Sequence, residues 1–156
     1  MVRRLFVILT VIALGGTSAL GQSAGSQFAS MIVGLERGGL ERWGKGDPEG
    51  YLELYARDVT YFDPWRDARI DGADAMRRAL EPIKGMIKTD RYEMLAPRVD
   101  RRGDVAILTY NLVTQGRAPD GTAAENRWNS TVVYVRIDGR WKILHSHWSY
   151  TKPDVK

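Results

Sequence analysis

Two histidines stand two residues apart in Trp141-Lys142-Ile143-Leu144-His145-Ser146-His147-Trp148-Ser149, and the chain has no others. In an extended strand successive side chains alternate faces, so Trp141, Ile143, His145, His147 and Ser149 are expected to point one way. An apolar pair followed by two imidazoles on one face describes a strand that runs from a core into a polar-ended cavity. Imidazoles in such a place could be general bases, hydrogen-bond partners or metal ligands. A zinc site wants a third and usually a fourth ligand, and Asp63 is the only evident candidate, so neither metal nor cofactor is expected.

Asp63 ends the run Tyr61-Phe62-Asp63-Pro64-Trp65. Apolar neighbours disfavour an ionised carboxylate and suit it to proton transfer; the plainer reading is an Asp before Pro that caps a turn. Asn129, Thr131 and Val133 share one face of the preceding strand, with Tyr110 on the strand before. If those faces look inward, Tyr110 and Asn129 offer neutral hydrogen bonds in an aromatic pocket walled by Trp43, Tyr61 and Trp65. The competing reading is cross-strand pairing. Arg127 is in phase with Asn129 and is the arginine expected to enter the cavity, whereas a solvated arginine is the default.

These residues need elements to place them. Met1-Val2-Arg3-Arg4, the apolar run Leu5–Gly15 and the small residues Ala19 and Gly21 read as a secretory signal peptide over residues 1–21. The apolar run falls short of the ~20 residues of a membrane span, although an uncleaved anchor stays open. Removing 21 of 156 residues leaves 135, one domain's worth, and lowers the charged count from 23 basic and 19 acidic to 21 and 19. That small excess and the lack of a dense basic run give nucleic-acid binding little support. The absence of cysteine excludes thiol catalysis and disulfides, so packing alone must hold the fold.

Phe28, Met31, Ile32, Leu35, Leu40 and Trp43 predict an amphipathic helix over 26–44, softened by Gly34, Gly38 and Gly39. Asp47-Pro48 starts a second helix to Ala56, and a third runs from Gly72 to Gly85. Strands are predicted at 59–63, 92–101, 105–115, 125–137 and 141–150, the last four joined by Arg102-Gly103, Pro119-Asp120-Gly121 and Asp138-Gly139 hairpins. Three helices and then a four-stranded antiparallel meander make one α+β domain over residues 22–156, with helices on one face of the sheet.

Gly46-Asp47, the run Tyr55–Pro64, Asp71-Gly72, and Asp138-Gly139-Arg140-Trp141 leading to His145-Ser146-His147 together resemble the SnoaL-like, nuclear-transport-factor-2-like superfamily. The nearest likeness is to the association (hub) domain of calcium/calmodulin-dependent protein kinase II and its stand-alone bacterial relatives. The resemblance spans residues 28–151. It implies a cone-shaped curved antiparallel sheet packed on three N-terminal helices, a deep pocket at the open end, and dimers or rings of dimers formed through the sheet. Asp63 matches the general-base aspartate of ketosteroid isomerase. The oxyanion-hole tyrosine of that enzyme falls in the Gly38-Gly39 region, and its protonated aspartate falls at Ser130, Thr131 or Val133. A base without its oxyanion stabiliser argues against steroid isomerisation.

Together these readings describe a secreted or periplasmic protein that binds a small organic molecule, with an acid as the expected class, and forms a homodimer or ring of dimers without stable membrane association. The alternative is a cofactor-independent lyase, isomerase or hydrolase that moves a proton through Asp63 and His145 or His147.

Overall fold

The computed structural model describes residues 17–117 and 121–152. Residues 1–16 of the expected signal peptide and the Pro119-Asp120 part of one hairpin lie outside them. Helix α1 (Thr17–Gly44) is continuous through its glycines, and Gly39 shows why one is needed. A Cβ there would sit 3.0 Å from the Tyr51 ring, so the bare backbone lets Tyr51 close on the helix. The second helix is one turn, α2 (Glu49–Leu52), far shorter than the sequence suggested. Asp47 opens it by accepting the Glu49 N–H at 3.0 Å. Tyr55, placed on that helix by its spacing, begins strand β1 (Tyr55–Phe62) instead.

Strand β2 (Ile70–Asp71) pairs with β1, and α3 (Ala73–Leu80) follows, ended by a 3₁₀ turn over Glu81–Ile83. The remaining strands are β3 (Thr89–Arg102), β4 (Val105–Arg117), β5 (Ala123–Ile137) and β6 (Arg140–Tyr150). At the last hairpin Asp138 and Gly139 both take positive φ, 49° and 78°, as a two-residue turn matching the strand twist requires. The six strands order β2-β1-β6-β5-β4-β3 in a curled, unclosed sheet, with β1 parallel to β6 and every other pair antiparallel. The fold is therefore the expected α+β cone, although β1 and β2 extend the meander beyond four strands. Among the described residues no helix is long and apolar enough to cross a membrane.

Alternation sets the inner face. Ala106, Leu108, Tyr110 and Leu112 of β4, and Trp128, Ser130, Val132 and Tyr134 of β5, are buried against Ile32 and Leu40 of α1 and Met76 and Leu80 of α3. In β6 the alternation breaks. Tyr134 pairs with Ile143 but Val133 pairs with His145, so Leu144 is an extra residue in a β-bulge. Ile143 is inward before the bulge, and Ser146 and Trp148 are inward after it. The bulge turns His145 and His147 to the outer face. Deleting Leu144 should remove the bulge and leave a regular strand with the same faces, Ile143, Ser146 and Trp148 inward and both imidazoles outward. Urea unfolding should change by less than about 2 kcal/mol, and a loss well beyond that would refute this account of the register.

Candidate functional site

The interior carries a polar cluster drawn from four separate elements of the chain. Glu36 lies on α1 one turn from Ile32 and one from Leu40, on the stripe that helical spacing directs into the core. It is completely buried, and three tyrosine hydroxyls donate to its carboxylate. Tyr51 reaches Oε1 at 2.9 Å, Tyr110 reaches Oε1 at 2.6 Å, and Tyr134 reaches Oε2 at 2.6 Å. Burial pushes the Glu36 carboxyl above its ordinary pKa, and the three donated hydrogen bonds pull it back only in part. Burial likewise drives the phenols of Tyr51, Tyr110 and Tyr134 well above theirs, so they stay neutral donors.

Toward the open end of the cone the inner face becomes aromatic. Tyr110 meets Trp148 edge-on at 5.9 Å, Trp148 meets Trp128 at 6.3 Å, and Trp128 lies 4.4 Å from Tyr150. Trp65, on the loop between β1 and β2, packs edge-on against Trp128 at 5.2 Å while remaining 64% exposed. Trp128 and Tyr150 also border a depression of about 830 Å³ at the rim, together with Leu112, Asn126, Arg127 and Lys152. Ser130 Oγ, buried between these rings and the glutamate cluster, has no hydrogen bond of acceptable geometry.

The residues singled out from sequence are divided by this geometry. Tyr110 and Tyr61 are inward, and burial raises the Tyr61 phenol, with the Asp63 charge adding to it. Trp43 packs edge-on against Tyr51 at 6.2 Å, a place in the core wall. The Asp63 side chain is only 5% exposed but is spent on its own turn. It accepts the Trp65 N–H at 2.9 Å and the Arg66 Nε–H at 3.3 Å.

The expected convergence of Asp63 with the histidines does not occur. Tyr61 pairs with inward Ser146, whereas Thr60 pairs with His145 and Phe62 with His147 on the other face. His145 Nδ1 lies 2.8 Å from Thr60 Oγ1, and the Phe62 ring stands 6.1 Å from His145 and 5.7 Å from His147. Desolvation holds the His145 imidazole below its usual pKa, with His147 and Arg69 acting the same way and the Thr60 backbone opposing.

Asn129 and Arg127 do not face the inside of the cone, because the inner phase of β5 belongs to Trp128, Ser130 and Val132, although Arg127 borders the rim depression. Asn129 accepts from Asn111 Nδ2 at 2.8 Å, and Arg127 pairs with Glu125. Glu36 was the residue that pattern reading missed. Its signal was a carboxylate at the centre of an Ile32–Glu36–Leu40 stripe, where an apolar residue belongs.

With fold and geometry in place, the comparisons define the class: this is a nuclear-transport-factor-2-like α+β cone. A SnoaL-like domain profile matches residues 41–153, and the chain belongs to the SnoaL-like domain family. A putative ketosteroid isomerase from Parabacteroides distasonis is 35% identical, with 79% of this chain and 87% of that chain covered and a TM-score of 0.67. The association domain of C. elegans CaMKII is 24% identical over 82% of this chain and 96% of that one, TM-score 0.64. An NTF2-like protein of unknown function from Pseudomonas putida is 24% identical over 83% and 91%, TM-score 0.69. The last two likenesses concern the fold alone. No curated protein matches the chain.

The cluster makes a prediction with a sign. Glu36 has a folded pKa above its unfolded value near 4.5, so its contribution to stability is complete below that pH. The contribution is lost as pH rises through the folded value. Glu36→Gln should abolish this part of the pH dependence while keeping most of the hydrogen bonds. Glu36→Leu should strand three buried hydroxyls at about 1–3 kcal/mol each. Urea unfolding from pH 4 to 8 measures both, and identical pH profiles for wild type and Glu36→Gln would refute the assignment.

Proposed function

We propose that this protein is an exported SnoaL-like module that self-associates through the outer face of its sheet and holds a small organic molecule at its aromatic open end. The observation that carries the assembly is the apolar strip on that face. Ile107 and Ile137 are each 41% exposed and Val105 36%, and the register sets Val105 beside Val135 and Ile107 beside Val133. Side chains of this kind facing water on the outside of a sheet favour a partner that covers them. A second copy is the occupant we infer, in keeping with the relative named an association domain. Export rests on the leader-like first 21 residues, and the destination is a periplasmic or extracellular space.

Ligand binding is supported by the rim depression and by Trp65, an indole held against Trp128 and Tyr150 yet largely open to solvent. Stacking on exposed aromatic rings suits a planar or apolar organic molecule, and Lys152 at the rim suits one that carries an acid group. The acid–base reading keeps one supporting fact, the inward Asp63 beside Tyr61, and the relative named for ketosteroid isomerisation is consistent with it. It has lost its histidine partners, and the Asp63 carboxylate is engaged by Trp65 and Arg66.

Two experiments test the proposal. Ile107→Lys should convert a dimer or larger ring to monomer in light scattering at micromolar concentration without changing far-UV circular dichroism. A wild-type chain that is already monomeric there would overturn the assembly. For the ligand, a panel of aromatic carboxylic acids should quench tryptophan fluorescence saturably, and Trp65→Ala should weaken the best binder by about tenfold, one lost stacking contact. Equal affinity in wild type and variant would remove Trp65 from the site.

A further inference from the structure

We propose that His145 and His147 form a two-imidazole chelate for a late first-row divalent ion on the outer face of β6. The argument begins with the bulge at Leu144, which takes both rings out of the core and sets them on the same side of one strand. Positions two apart on a strand are separated by two rises of about 3.3 Å. Two imidazoles so spaced can lean toward one ion at the usual metal–nitrogen distance of about 2.0–2.1 Å.

The surroundings orient the pair. Thr60 Oγ1 engages His145 Nδ1 at 2.8 Å, which leaves Nε2 as the ring nitrogen free to ligate. A ligating imidazole ordinarily has its other nitrogen tied in this way, fixing ring orientation and tautomer. Phe62 borders both rings at 6.1 and 5.7 Å, an apolar wall that restricts their motion on the β1 side. Val133 and Thr131, the β5 partners of His145 and His147, bring no charge. Arg69, whose charge acts on His145, and Asp71 of β2 satisfy each other through two hydrogen bonds at 2.6 and 3.1 Å.

Among the described residues no third His, Cys, Asp or Glu joins the pair. The coordination sphere is therefore completed by water, an open site rather than a closed structural one. Nitrogen donors with an open, hydrated remainder suit Cu²⁺ best, then Ni²⁺ and Zn²⁺, and disfavour Mg²⁺ and Ca²⁺, which demand oxygen. Val133 of the assembly strip stands beside His145, so the titration is run on the Ile107→Lys variant as well as the wild type, and tight binding in either supports the chelate.

The test uses the untagged full chain and Cu²⁺ alone. Titration calorimetry should give one tight ion per chain, and the electron paramagnetic resonance spectrum should show coupling to two nitrogens. Binding through the second imidazole is intramolecular, so His147→Gln and His145→Gln should each weaken the site by about 10²-fold. Thr60→Val should weaken it by about tenfold with both nitrogens retained, the effect of a lost orienting partner. Because His147 is exposed, its variant should keep the wild-type circular dichroism, so loss of binding cannot be ascribed to unfolding. Wild-type affinity no greater than that of the His145→Gln/His147→Gln double variant, or a spectrum with fewer than two nitrogens, would overturn the proposal.

Discussion

The interior of this protein depends on one carboxylate. Glu36 has been removed from water entirely, and an ion so placed costs several kcal/mol unless it is satisfied. Three phenols satisfy it, each hydrogen bond contributing roughly 1 kcal/mol, and more where the carboxyl is ionised. The donors come from α2, β4 and β5, so the cluster ties the long helix to the short one and to the middle of the sheet at a single point. A purely apolar contact would let α1 slide along the sheet, because burial has no direction. Three directed bonds do not. Gly39, one turn onward, then allows the Tyr51 ring to approach the helix closely enough to complete the set.

The same cluster bears on chemistry. Complete burial of Glu36 leaves no space against it even for water, so a reacting molecule cannot reach it in this conformation. Its polar atoms are occupied in holding the fold. Asp63 is also occupied, in a turn that seats Trp65 over Trp128. The two inward carboxylates thus position other groups, which weighs toward a binding and assembly module and away from an acid–base site.

Much of the architecture was legible because it follows from local rules. Strict alternation in β4 and β5, an Asp-Gly hairpin with both residues at positive φ, and an apolar helical stripe in α1 are each written in a few adjacent residues. The failures have an equally physical origin. One inserted residue, Leu144, inverts the phase of everything after it, and neither its type nor its neighbours announce a bulge. The faces of β5 were ambiguous for a related reason: Asn129, Thr131 and Val133 and their alternates Ser130, Val132 and Tyr134 are both mixtures of polar and apolar. Only packing against Glu36 and Trp148 decides between them. Tyr55 was lost to a helix that stops at Leu52, since a tyrosine at that spacing fits a helical face and a strand start equally well.

The bulge also explains how one short strand can serve two sides of the molecule. Before it, Ile143 fills the core. After it, Ser146 and Trp148 continue inward, with the Trp148 indole N–H donating to Ser146 Oγ at 3.1 Å. The imidazoles meanwhile emerge beside Thr60 and Phe62. A regular strand would have had to bury two histidines with no acid in reach, because the inward Asp63 carboxylate is already bound to Trp65 and Arg66. Desolvating a second and third titratable group beside Glu36 would add to the largest unfavourable charge burial in the fold. Moving them outside avoids that cost and equips the outer face, otherwise apolar along Val105, Ile107, Val133 and Ile137, with its distinctive donor atoms. The division of the polar residues between a sealed structural cluster and an accessible outer pair is thus a consequence of packing, and it places the reactive nitrogens of this chain on the surface rather than in the cone.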